Sequence, residues 1–323
     1  MASENTALTV ILGTGGTIAG QSSRAGDNVG YVAGQVSIGD LVAAVPVLTG
    51  LALEAEQVDQ IDSKDVHFGL WRRLIARLVH HLARPDVSGV VITHGTDTLE
   101  ETAYFVHAVL KPVKPVVFTS AMRPASALVP DGPQNLQDAV VVARDPLASG
   151  VLAVCAGKVH AATQVAKVHS YRVDAFDSGD AGPLACVEEG AVRWYCREAP
   201  DSMATDAQLL ERVLRADRLP RVELVTSHAD TDGALVRSLL SAGATDQSVL
   251  PKGIVVAGTG NGTLHSELAK ALLEAMSRGV RVVRATRCAG GRVIPDGVNP
   301  IPDSAGLSPV KARIALALSL LRD

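Results

Sequence analysis

The chain has 323 residues, of which 47% are hydrophobic and 20% charged, with a formal net charge of −4. That length suits two domains with ample core, and the composition is that of an ordinary globular protein. The lack of a basic excess excludes nucleic acid and an anionic membrane surface as expected partners, and no apolar run approaches the ~20 residues that span a bilayer.

Aromatics make up only 3% of the chain, a balance that fits buried parallel strands covered by helices. The first residues carry no basic n-region, and their apolar stretch is too short for a signal peptide. A cytoplasmic protein is therefore expected, or a periplasmic one if a leader was removed. Cys155, Cys186, Cys196 and Cys288 form no C-x-x-C pair and no zinc-type spacing with histidine. They read as buried or inert thiols, with no disulfide framework.

Residues 8–12 form the first predicted strand, and they run into Gly13-Thr14-Gly15-Gly16-Thr17-Ile18-Ala19-Gly20. Residues 65–82 place Val66, Leu70, Leu74, Ile75 and Leu78 at helical spacing. A second strand, 90–92, ends in Thr93-His94-Gly95-Thr96-Asp97-Thr98. The helix predicted at 98–110 carries Glu100 and Glu101 in its first turn, where the helix dipole favours acids. A strand at 116–119, a helix at 135–144 and a strand at 151–154 follow. This alternation implies a parallel sheet with right-handed crossovers.

Residues 188–219 turn polar and lose their strand signals, reading as a linker with a short helix at 207–215. Pro220 opens a second series, with strands at 222–225, 254–257 and 280–284 and helices at 233–241, 264–277 and 309–321. The expected fold class is α/β. A larger N-terminal domain with a mostly parallel sheet flanked by helices takes 1–190, a linker 191–218, and a smaller C-terminal α/β domain 219–323.

Both threonine segments lie where strands of a parallel sheet end, which is where such sheets bind ligands. The first is not a dinucleotide fingerprint, because Ile18 stands where the third glycine belongs. It is not a P-loop either, since it lacks lysine. It reads as a glycine-flanked loop that brings Thr17 to a substrate, or as a plain strand–helix turn. In the second, Thr96 offers a hydroxyl and Asp97 a carboxylate at a helix start, suited to gripping an ammonium group. A threonine is a weak nucleophile without a base. Lys167 is a candidate base, although most lysines are surface charges. His94 reads as a core residue in preference to a base.

Residues 12–20, 92–103, and 121–135 with its Ala121-Met122-Arg123-Pro124 and Asp131-Gly132-Pro133-Gln134-Asn135 motifs, closely resemble the bacterial type II L-asparaginase family. The resemblance extends to 253–262 and 307–313. It implies an amidohydrolase that converts L-asparagine to L-aspartate and ammonia, with some L-glutamine hydrolysis. It also implies a homotetramer whose active sites are completed by a neighbouring subunit. Carried over by residue, it makes Thr17 the acylated nucleophile and Tyr31 the lid tyrosine that contacts it. Ser63 becomes the ligand of the substrate α-carboxylate. Thr96, Asp97 and Lys167 become the second threonine, the ammonium-binding aspartate and the proton-handling lysine, and Asn261 reaches a neighbouring site.

Amide hydrolysis needs a nucleophile, an oxyanion site and a proton for ammonia. On this reading Thr17 attacks, and a backbone N–H near Thr96 with a water holds the oxyanion. Thr96 with Lys167 then activates water, and lid closure over Tyr31 excludes solvent. No metal or organic cofactor is needed.

Two departures stand out. Lys64 follows Ser63 where the family commonly carries glutamine or glutamate. It either alters the asparagine-to-glutamine preference or points outward. No glutamate lies between Arg278 and Asp323, where the family often has one, leaving Asp296 or Arg292 as replacements. The rival readings are a glutaminase-asparaginase with comparable use of both amides and a non-catalytic binding module.

Overall fold

The structure is a computed structural model and describes residues 7–24, 26–196, 205–246 and 249–323, without the side chains of 244 and 245. The chain separates into two compact units, Met1–Leu210 and Glu211–Asp323. The first is built on an eight-stranded sheet in the order β10-β9-β6-β5-β4-β3-β1-β2 among the described residues. Its strands are β1 Leu8–Gly15, β2 Leu53–Ile61, β3 Val87–Thr93, β4 Val116–Thr119, β5 Val151–Cys155, β6 Lys158–Ala161, β9 Ala185–Glu188 and β10 Ala191–Trp194. A separate antiparallel pair joins β7 Ala166–Lys167 to β8 Phe176–Asp177.

Strands β2, β1, β3, β4 and β5 are parallel neighbours. Helices α1 Ile38–Ala43, α2 Phe68–Leu82, α3 Leu99–Leu110 and α4 Gly132–Arg144 lie between them in sequence. Along β1, β3 and β4 the side chains alternate between two buried faces. Ile11, Val91 and Val117 join Leu136, Ala139 and Val140 of α4 in one cluster. On the face covered by α2 and α3, Trp71 stacks on Phe105 at 4.5 Å. Burial on both faces explains the near-continuous apolar runs.

The far half of the sheet reverses, with β5, β6, β9 and β10 pairing antiparallel. Two expectations are corrected here. Strand signals do not end at Glu188, because Ala191–Trp194 pairs with β9; it escapes detection because its residues are alternately exposed and half-buried. An unpredicted strand, β2, carries Glu54, Glu56 and Asp59 at the sheet edge. These acids face arginines of the α2 segment: Arg84 meets Glu54 at 2.8 Å, Arg77 meets Glu56 at 2.5 Å, and Arg73 pairs with Asp59. A charged edge of this kind resists pairing with other chains.

Helix α5, Ala207–Arg215, leads to the second unit, a parallel sheet ordered β11-β12-β13. Its strands are Val222–Thr226, Gly253–Gly258 and Arg281–Thr286, and its helices are α6 Ala234–Thr245, α7 Ser266–Ser277 and α8 Pro309–Arg322. Ile254 and Val256 pack with Leu240, Leu268 and Leu272 on one face. Val255 packs with Ala312 and Leu316 on the other. The chain is thus α/β throughout, with a larger unit followed by a smaller one.

Candidate active site

The carboxyl ends of β1 and β3 are brought together by glycine. Gly15 and Gly16 have φ of +101° and +82°, a left-handed region that favours glycine. A Cβ on Gly16 would lie 2.3 Å from the Gly95 Cα, and one on Gly95 would lie 2.4 Å from the Ser63 Oγ. Thr14 Oγ1 donates to the Thr93 carbonyl at 2.9 Å and laces the two strand ends.

Thr17 opens a 3-10 turn, Thr17–Ala19, and is 6% exposed. Its Oγ1 lies 2.6 Å from the Tyr31 hydroxyl. Burial pushes the Tyr31 phenol above its ordinary range, and Asp62 and Asp97 push the same way, while the bond to Thr17 opposes them. Tyr31 is therefore a neutral phenol near pH 7. Its segment is tethered at both ends: Ser22 N–H donates to Ser126 Oγ at 2.8 Å, and Gly34 N–H to the Gly16 carbonyl at 3.1 Å. The Tyr31 ring also seats against Gly20, where a Cβ would come within 2.7 Å of it.

Past β3, Thr96 is buried and Asp97 half-exposed at the approach to α3. Lys167, from β7, donates to Thr96 Oγ1 at 2.8 Å and to Asp97 Oδ1 at 2.6 Å. Asp97 thus already has one oxygen on a cation inside its own chain. Ser63, on the 3-10 turn Ser63–Asp65, accepts from the Asp97 N–H at 3.2 Å, and its carbonyl accepts from Thr98 Oγ1 at 2.8 Å. Thr17, Tyr31, Ser63, Thr96, Asp97 and Lys167 therefore meet in one region of the first unit.

Lys64 does not join them. It pairs with Asp62 at 2.8 Å and Asp65 at 3.1 Å and is largely exposed. His94 is fully buried, with Nδ1–H donating to the Gly95 carbonyl at 2.7 Å, and burial pushes its pKa down to about 4. Its Nε2 has no hydrogen-bond partner, so the imidazole is only half satisfied. Of the thiols, Cys155 is buried, Cys186 is half-buried and Cys196 and Cys288 are exposed.

Asn261 and Asp296 lie in the second unit. The Asn261 amide is engaged at both ends by Ile294, donating to its carbonyl at 3.0 Å and accepting from its N–H at 2.6 Å. Asp296 caps the backbone of Val298 and Asn299 at 3.0 and 2.9 Å, which holds its carboxyl below the usual range. Arg292 is exposed.

Asp131 has a structural role that its motif alone does not reveal. Its carboxylate accepts from the N–H groups of Met122 and Arg123 at 3.0 and 2.9 Å and from Asn135 Nδ2 at 3.3 Å. The Asp131 to Asn135 spacing at a helix start was the available signal, since an acid there caps a neighbouring turn.

Fold and site together define a class: a two-unit α/β protein that presents two threonine hydroxyls at adjacent parallel-strand ends, one against a tyrosine and one against a lysine–aspartate pair. The chain belongs to the asparaginase family. Residues 9–200 match the family model "Asparaginase, N-terminal", and residues 221–323 match "Glutaminase/Asparaginase C-terminal domain". The chain is 36% identical to L-asparaginase 2 of Bacillus subtilis (strain 168), over 97% of its own length and 82% of the relative's. It is 36% identical to the glutaminase-asparaginase of Pseudomonas fluorescens biotype A, over 97% and 86%. Among solved structures it resembles a probable cytoplasmic L-asparaginase from Campylobacter jejuni. The TM-score is 0.88 at 37% identity, covering 98% of this chain and 95% of that one.

Proposed function

We propose that this chain hydrolyses L-asparagine to L-aspartate and ammonia through a threonine acyl-enzyme, with minor L-glutaminase activity. The observation that carries the reading is the pair of short contacts at adjacent strand ends, Thr17 to Tyr31 at 2.6 Å and Lys167 to Thr96 at 2.8 Å. Thr17 Oγ1 attacks the side-chain carbonyl carbon, and its proton leaves through the Tyr31 hydroxyl. A backbone N–H near Thr96, with a water, receives the oxyanion. The nitrogen departs as ammonium, taking the Thr17 proton and one from Lys167 by way of Thr96, and leaves an ester on Thr17 and a neutral amine on Lys167. Water then adds to that ester, giving one proton by way of Thr96 to the neutral Lys167 amine and the other to the departing Thr17 Oγ1, and L-aspartate is freed.

Ser63 meets the substrate α-carboxylate, and the free oxygen of Asp97 meets the α-ammonium. Each of these steps uses a side chain or water, so the reaction as drawn calls for no metal or organic cofactor. L-Glutamine is longer by one methylene, a difference worth only ~1–3 kcal/mol in a pocket, which supports a residual glutaminase activity. Kinship with the family supports a homotetramer in which Asn261 and Asp296 serve a neighbour's site. The name of the Campylobacter jejuni neighbour supports a cytoplasmic location.

The test is ammonia release from L-asparagine, D-asparagine and L-glutamine in parallel, with and without Thr17→Ala, on material sized by light scattering. We expect L-asparagine to lead, and Thr17→Ala to lower turnover by about three or more orders of magnitude. Silence from all three amides, or an unimpaired Thr17→Ala, defeats the reading. Ligand binding without turnover identifies a binding module instead.

A further inference from the structure

Three residues at the approach to α3 hold Lys167 from two ends. Thr96 Oγ1 and Asp97 Oδ1 receive its ammonium at 2.8 and 2.6 Å. Glu100 Oε1, in the first turn of α3, receives its main-chain N–H at 3.3 Å. The side-chain contacts account for where the nitrogen sits, and the main-chain contact accounts for where the lysine begins.

That second contact matters because of where Lys167 is carried. Strand β7 is two residues long, lies outside the eight-stranded sheet, and pairs with the equally short β8. Such a segment has little ladder of its own to fix its register against α3. A lysine arm is flexible along four carbons, so displacement of its Cα widens the range its ammonium samples. A carboxylate anchored on α3, the element that Thr96 and Asp97 lead into, ties the two ends of Lys167 to one rigid body.

We propose that Glu100 is a positioning residue for the hydrolysis, holding the main chain of Lys167 where its ammonium meets Thr96 and Asp97 together. This rests on the assignment of Lys167 to the water-activating step. On this reading Glu100 acts through the lysine and not on the substrate. Its neighbour Glu101 shares the favourable position near the helix N-terminus and is the natural control for a purely helical role.

Four variants of the full-length chain, assayed on L-asparagine with melting temperatures alongside, test the proposal. Glu100→Asp keeps the charge but shortens the arm by one methylene, whereas Glu100→Gln keeps the arm and the acceptor oxygen but removes the charge. We expect Glu100→Asp to lower kcat by about tenfold to a hundredfold with KM little changed, since an ångström of misplacement costs up to that much. We expect Glu100→Gln to restore most of the rate and Glu101→Gln to leave it unchanged. Glu100→Asp fully active with Glu100→Gln impaired points to charge alone and overturns the proposal. Equal losses in both, equal activity in both, or a matching loss in Glu101→Gln overturn it as well. Lys167→Met separates the two claims. If it abolishes turnover while Glu100→Asp leaves kcat intact, only the Glu100 proposal falls; if Lys167→Met keeps turnover, the lysine's assigned role falls and takes this one with it.

Discussion

At Gly16 and Gly95 the two threonine segments touch through bare backbone, and the whole arrangement depends on the missing side chains. Replacing Gly16 with alanine would put a methyl 2.3 Å from the Gly95 Cα and impose a φ of +82° on a residue with a Cβ. The backbone strain alone is worth about 1–3 kcal/mol, and the clash would push Thr17 away from Thr96. Gly16→Ala should therefore lower both the melting temperature and kcat/KM for L-asparagine. A variant that melts and turns over like the parent would show that the segments have room to part. The motifs around Thr17, Thr96 and Asp97 are legible in sequence because each sits at a strand end, where apolar residues give way to small ones. Tyr31, Ser63 and Lys167 have no such local mark. They reach the site from a tethered loop, a 3-10 turn and a two-residue strand, so only family resemblance pointed to Tyr31 and Ser63, and Lys167 stood out from other lysines only weakly.

Among the elements, the exits of β4 and β5 and the start of α4 are joined by one polar knot. Asp131 accepts from Met122, Arg123 and Asn135, while Asn135 Nδ2 donates to the Ser120 carbonyl at 2.9 Å and its Oδ1 accepts from the Ala156 N–H at 2.9 Å. Asp131→Ala leaves several of these donors without a partner. Chemical denaturation should register a loss of about 1–3 kcal/mol, the range for a donor stripped of its acceptor. An unshifted midpoint would mean that water replaces the carboxylate. Legibility among elements followed burial. Strands β1, β3, β4 and β5, and β12 of the second unit, are covered on both faces and read as apolar runs. Strand β2 was missed because the acids that pair with α2 arginines mimic a solvated loop. Strands β6, β9 and β10 were missed because they are short, because β9 and β10 are partly exposed, and because their antiparallel course breaks the strand–helix rhythm that marked the rest.

For the molecule as a whole, acid sensitivity follows from two histidines in the first unit. Burial lowers His94 and His160 from 6.5 to about 4, and the Lys158 charge lowers His160 further. The unfolded chain takes up these protons near pH 6.5, while the folded chain refuses them until about pH 4. Their contribution to stability is thus complete above the unfolded value and is lost as pH falls through this window, by up to about 3 kcal/mol for each. Melting temperatures measured from pH 7 to pH 4 should fall on acidification. His94→Asn, which keeps a donor for the Gly95 carbonyl but does not titrate, should flatten part of that slope. A flat profile in the parent protein would contradict the burial of both rings.

The contacts that complete the site join partners far apart in the chain, seventy-nine residues for Thr14 and Thr93 and seventy-one for Lys167 and Thr96. A chain leaving the ribosome from its N-terminus displays Thr17 well before Lys167, to which we assign the later half of the reaction, has been made. Domains fold as units during synthesis, and contacts between distant residues close slowly. On the mechanism proposed above, catalytic competence is withheld from the nascent polypeptide until the segment that carries Lys167 has emerged and docked on α3.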